Sequence, residues 1–112
     1  MITLRVDRLP DGPISRFCLT GHAGSGPYGF DLVCAAVSAV SFGAINAIDA
    51  LTDCTLTVDQ APDGGFLDCM LNDSQEPKAQ LIIEAMLVSM RTIEQSYGKF
   101  LRIDDKGGVT HA

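Results

Sequence analysis

Two residues of this 112-residue chain, His22 and Cys34, have types and placement that suit nucleophilic chemistry. An imidazole can take the proton of a thiol, and the thiolate is the competent nucleophile, so a Cys–His pair suffices for covalent attack on a carbonyl. Cys34 follows Asp31 by three positions, in the opening turn of a predicted helix. The positive end of the helix dipole and the amides of that turn favour thiolate there. His22 closes a predicted strand in the run Gly21-His22-Ala23, directly before a glycine loop. The other histidine, His111, is one residue from the last position and is expected to be frayed. A strand end and a helix start can meet at one edge of a sheet. Position alone leaves open that Cys34 is a small buried hydrophobe beside Ala35 and Ala36.

Two other chemistries compete for the same segment. Cys18, His22 and Cys34 have ligand atoms for zinc, but their C-x3-H-x11-C spacing lacks the paired knuckle of structural sites, so no metal is expected. Gly24-Ser25-Gly26-Pro27-Tyr28-Gly29 matches GxGxxG, follows a strand, opens a helix and is followed by Asp49 twenty residues on. A phosphate- or nucleotide-binding module built on the Gly24–Gly29 loop is therefore the alternative reading. Against it, the preceding strands read as a hairpin, the segment offers no lysine for phosphate, and a dinucleotide fold needs more βαβ units than this length holds.

The positioning elements follow from periodicity and turn chemistry. Ile2, Leu4 and Val6 alternate with polar residues, Pro10-Asp11-Gly12-Pro13 is a turn, and Ile14 to Leu19 is a second extended run. After the glycine loop, Asp31 suits an N-cap for a helix reaching about Leu51. Thr55 to Asp59 and Phe66 to Leu71, joined by Pro62-Asp63-Gly64-Gly65, predict a second hairpin. Ser74 to Tyr97 predicts a second helix with Pro77 in its first turn and Gly98 as its stop, and Phe100 to Asp104 a final strand. The order ββαββαβ implies an α+β domain spanning 1–112, with two long helices packed on a mainly antiparallel sheet. In the first helix Val37, Val40, Ala44, Ala47, Ile48 and Leu51 form the apolar side, and Cys34, Ser38, Ser41, Asp49 and Thr52 a small-polar stripe opposite. In the second, Ala79, Ile82, Met86, Met90, Ile93 and Tyr97 form a core-facing stripe rather than a methionine ligand box.

Composition narrows the function classes. Disorder and fibrous repeats are excluded by 46% hydrophobic residues. The 8 basic and 14 acidic residues give a net charge of −6, which disfavours a nucleic-acid partner and favours a basic one. Charges at Arg5, Asp7 and Arg8 break any secretory apolar run. The uncharged run Leu32 to Ile48 is at the short end for a bilayer span and is read as a buried helix, so no membrane association is expected. The cysteines at 18, 34, 54 and 69 contain no CxxC pair, and four reduced thiols in a cytoplasmic protein are expected.

The run from Gly21-His22-Ala23 through Asp31-Leu32-Val33-Cys34-Ala35-Ala36-Val37-Ser38 resembles the signature of the ribosomal-processing cysteine protease family known as Prp. The likeness continues in Phe42-Gly43-Ala44-Ile45-Asn46-Ala47-Ile48, in Met86-Leu87-Val88-Ser89-Met90 and in Thr92-Ile93-Glu94-Gln95-Ser96-Tyr97, covering nearly the whole chain. It implies a cytoplasmic, homodimeric, cofactor-free endopeptidase with His22 and Cys34 as its catalytic pair. The implied substrate is the precursor of the large-subunit ribosomal protein numbered twenty-seven, trimmed of an N-terminal extension ending in paired phenylalanines so that the ribosome can assemble. The sequence departs from the family pattern in the loop, at Phe30, where a lysine-like or polar residue is expected, and at Ser25 and Pro27. A non-catalytic ribosome-assembly adaptor that keeps the fold is a further alternative.

On that reading the backbone amides of Val33 and Cys34 would receive the oxyanion. Asp31 would either cap the helix or orient His22, and Ser38, one turn on, would either line the cleft or satisfy a neighbouring carbonyl. Tyr28 and Phe30 would bury substrate aromatics as the four-glycine segment from 21 to 29 closes, an ordering cost that substrate burial offsets.

Overall fold

The computed structural model describes residues 1–22 and 32–106. Its elements run β1 (Ile2–Arg8), β2 (Ile14–Thr20), α1 (Leu32–Leu51), β3 (Leu56–Gln60), β4 (Phe66–Leu71), α2 (Pro77–Tyr97) and β5 (Leu101–Lys106). The order is the expected ββαββαβ. The sheet reads β3-β4-β2-β1-β5, antiparallel throughout except where β5 joins β1 in parallel.

Alternation decides which sheet face is buried. Leu4 pairs with Leu19 and Val6 with Phe17, while Phe17 pairs in turn with Cys69 and Leu19 with Leu67, so one face is continuously apolar. Phe17, Leu4, Val6 and Cys69 are fully buried there. The helices cover that face with Val33, Val37, Ala44 and Ile48 from α1 and Ala79, Ile83, Met86, Leu87 and Met90 from α2. The opposite face carries Arg5, Cys18 and Asp68 in one cross-strand row, beside an Arg16–Asp68 ion pair of 2.6 Å.

Helix limits are set by local chemistry. α2 starts at Pro77, three residues after the expected Ser74, because Glu76 precedes a proline and is held extended (φ −70°, ψ 115°). From there its carboxylate accepts the Ala79 N–H at 2.6 Å, capping the helix. Tyr97, expected in the core stripe, is 38% exposed at the last turn. In α1 the inward stripe is rotated relative to the expected one: Ser41 is fully buried and Leu51 is 68% exposed. Ser41 tolerates burial because its hydroxyl donates to the Val37 carbonyl of its own helix at 2.8 Å. α1 is long and apolar enough to cross a bilayer by length and composition, yet its inward stripe packs on the sheet and on α2.

Arg8 fastens the end of the sheet away from His22. Its guanidinium, with a side chain only 6% exposed, donates to Glu84 of α2 at 2.6 Å, to Asp105 of β5 at 2.9 Å and to the Gly12 carbonyl at 2.9 Å. Both carboxylates raise its pKa further above the ordinary guanidinium value.

Candidate active site

β2 delivers His22 through a single glycine. Gly21 takes φ +91°, and a Cβ there would collide with the Met1 carbonyl, so only glycine lets the chain leave the strand at this point. The Gly21 N–H donates to the Gly65 carbonyl at 2.9 Å, and the His22 carbonyl accepts from the Met1 nitrogen at 2.6 Å. The backbone of this exposed histidine is thus anchored to Met1, just before β1, and through Gly21 to the β3–β4 turn.

α1 delivers Cys34. With the helix starting at Leu32, Cys34 lies in its first turn beside fully buried Val33, and is itself half-buried against the core. His22 and Cys34 line the same cleft, a cavity of about 220 Å³. Its walls are largely apolar, built from Ile2, Leu19, Val37, Phe42, Phe66 and Leu67. Among the described residues that line it, His22 and Cys34 are the only ionisable side chains. A thiolate is a nucleophile and an imidazole an acid–base group, so this apolar cleft holds the side-chain types that covalent attack on a carbonyl needs.

The remaining cysteines are placed differently. Cys18 lies on the opposite sheet face in the row of Arg5 and Asp68, so Cys18, His22 and Cys34 do not converge as metal ligands. Burial, followed by the Asp68 charge, raises the Cys18 pKa. Burial, with Asp68 and Cys54 adding to it, pushes Cys69 up to about 12. No disulfide joins the described cysteines.

Ser38 lines the cleft one turn after Cys34, and Val33 stands in the first turn. Asp31, Tyr28, Phe30 and the Gly24–Gly29 loop lie outside the described residues. The strand preceding that loop is antiparallel to both its neighbours, so the βαβ setting of a dinucleotide fingerprint is missing. Reading the sequence did not assign Phe42, Gln60, Gly64, Gly65 or Phe66 to the site. The Gly64-Gly65 turn was legible, but its contact with His22 is a tertiary fact with no local signal.

Comparison with known proteins gives a consistent result. Residues 1–102 match the profile of the family described as cysteine protease Prp. The ribosomal processing cysteine protease Prp of Staphylococcus aureus strain Mu50 is 39% identical over 106 residues, covering 95% of this chain and 100% of that protein. The protein of the same name from Bacillus subtilis strain 168 is 43% identical over 107 residues, covering 92% and 96%. A crystal structure of the S. aureus protease, described as essential and bound to a covalently linked product peptide, superposes with a TM-score of 0.91 at 39% identity, covering 95% of this chain and 100% of that one. A second, with a substrate peptide, gives 0.87 at 38% identity and covers the same shares. With residues 1–102 matching the family profile and nearly its whole length and fold aligned with these relatives, the chain belongs to the Prp family of cysteine proteases.

Proposed function

We propose that this protein is a cytoplasmic endopeptidase that removes the N-terminal extension from the precursor of the large-subunit ribosomal protein numbered twenty-seven, with Cys34 as nucleophile and His22 as acid–base partner. The observation that carries the reading is that these two side chains share one apolar cleft with no other ionisable group among its described lining residues. The names of the relatives, and the covalently linked product peptide in one of them, support peptide cleavage by a cysteine.

His22 takes the Cys34 Sγ proton, and the sulfur adds to the scissile carbonyl carbon to give a tetrahedral oxyanion. On this reading the amides of Val33 and Cys34, in the opening turn of α1, receive that charge. Collapse breaks the C–N bond as His22 returns its proton to the leaving amine, leaving an acyl-thioester. Water, deprotonated by His22, then hydrolyses the thioester and restores the thiol. Protein residues suffice for every step. Phenylalanines before the scissile bond suit the walls formed by Phe42, Phe66 and Leu19. No lysine or arginine occurs from Phe17 to Pro77, the span that supplies most of the cleft, which suits approach by a basic ribosomal protein. The protein acts as a homodimer on this reading; the exposed Leu81 and Val88 of α2, with Ala85 between them, support a helix-mediated contact.

The test is incubation of the host's precursor with the protein, followed by intact mass. One cut after the extension is expected, absent with Cys34→Ala. An uncut precursor, or equal cutting by the variant, would refute the reading; binding without cutting would favour the adaptor.

A further inference from the structure

The β3–β4 turn contains two consecutive glycines in the left-handed region, Gly64 at φ +84° and Gly65 at φ +81°. Turn geometry alone explains both. Their surroundings differ. A Cβ on Gly64 would lie 3.7 Å from Cε1 of His22, an ordinary contact. A Cβ on Gly65 would lie 2.8 Å from Nε2, 3.3 Å from Cε1 and 3.5 Å from Cδ2, so the outer edge of the imidazole occupies the volume a side chain at 65 would take. The same residue's carbonyl accepts the Gly21 N–H at 2.9 Å. Gly65 therefore touches the residue that presents His22 through its backbone and the ring itself through its missing side chain. An exposed imidazole in water samples several rotamers; here one side of its range is bounded by backbone that hydrogen bonds hold in place.

We propose that Gly65 is a positioning residue for His22, its bare α-carbon forming the seat that fixes the direction the imidazole faces in the cleft. The functional consequence rests on the reading of His22 as acid–base partner of Cys34; the seat itself does not. The other ionisable groups about His22 are Cys34 in the cleft, the Met1 ammonium on the His22 carbonyl at 2.6 Å, and Asp63 in the same turn as Gly65; substitution at 65 changes the chemistry of none of them.

The experiment compares Gly65→Ala with Gly64→Ala. Both introduce left-handed strain into one turn, and only the first overlaps the ring. Cleavage of a peptide carrying two adjacent phenylalanines is followed across the imidazole titration range, and the His22 ring is titrated by proton–carbon NMR without substrate. Gly65→Ala is expected to lower kcat about 10–100-fold, the scale of a misplaced catalytic group, with KM changed far less. It is also expected to displace the His22 titration and the acid limb of the rate profile, while Gly64→Ala loses less and leaves both near wild type. Equal losses with an unmoved His22 titration would overturn the proposal. Should Gly65→Ala fail to fold, the wild-type nuclear Overhauser contact between the His22 Cε1 proton and the Gly65 α-protons decides, and its absence overturns the seat. Full cleavage by His22→Ala would remove the acid–base reading alone, because the NMR readouts on the ring need no catalysis.

Discussion

His22 and Cys34 open onto one cleft, although one stands two residues after the end of β2 and the other in the first turn of α1. The end of the central strand β2 and the start of α1 are brought together by the apolar face beneath them, where Leu19, Leu67 and Val37 pack. Cys34 is half-buried at the cleft, whereas Cys18 is 8%, Cys54 4% and Cys69 0% exposed. Accessibility thus separates one thiol from the other three.

The apolar walls imply a specificity that can be read kinetically. Replacing both phenylalanines of a substrate peptide by alanine is expected to reduce kcat/KM on the order of 100- to 10,000-fold, since burying each ring is worth about 1.5–3 kcal/mol. Steady-state assays on the paired peptides check this; equal rates would show that the walls do not read those side chains.

Alkaline stability should report the buried thiols. Burial raises the folded-state pKa of Cys69 from an ordinary 9.0 to about 12. The thiol form is therefore the one the folded state favours. That stability is fully present below the unfolded pKa and is lost as pH rises toward the folded value, at about 1.4 kcal/mol per pH unit for one thiol. Cys18, also raised, adds in the same direction. Urea midpoints measured above pH 9 should fall more steeply for wild type than for Cys69→Ala, even though the variant starts lower at neutral pH.

Arg8 is the cation whose loss should matter most to folding. Its side chain is 6% exposed and bonded to Glu84, Asp105 and the Gly12 carbonyl, so Arg8→Met removes the shared cation at the junction of β1, α2 and β5, leaving Asp105 with Arg91 at 3.7 Å and Glu84 with water. A loss of about 1–3 kcal/mol is expected, the scale of hydrogen bonds to charged groups, because Glu84 is partly solvated and Asp105 keeps Arg91. Denaturant titration checks it. Cleavage per folded molecule should be unchanged, since Arg8 does not line the cleft.

If α2 mediates self-association, light scattering of wild type at micromolar concentration should give twice the 11.9 kDa chain mass. Leu81→Asp, at a position 72% exposed, should return the monomer mass and a melting temperature that no longer rises with protein concentration. A monomeric wild type would exclude the dimer.

Most of the fold was legible because its signals are local. Alternation at Ile2, Leu4 and Val6, the Pro77 and Gly98 punctuation, and the glycine turns of both hairpins place the elements to within a few residues. Ser41 sits inward against its polarity because its hydroxyl bonds the Val37 carbonyl, a satisfaction that grouping residues by polarity along a helix does not register. His22 and Cys34 could be nominated from a strand end and a helix start. The Gly65 seat could not, since it depends on β4 lying beside β2, a pairing across more than forty residues that no local pattern encodes.

The pairing of Cys34 with His22 is tested most directly by alkylation. Iodoacetamide is added to the folded protein at neutral pH and all four cysteines are mapped by mass against time, in wild type and in His22→Ala. Cys34 is predicted to be modified first, its rate falling when the imidazole is removed, because the thiolate is the reacting form. Labelling of Cys18, Cys54 or Cys69 ahead of an intact Cys34, or an unchanged Cys34 rate in His22→Ala, would contradict the account.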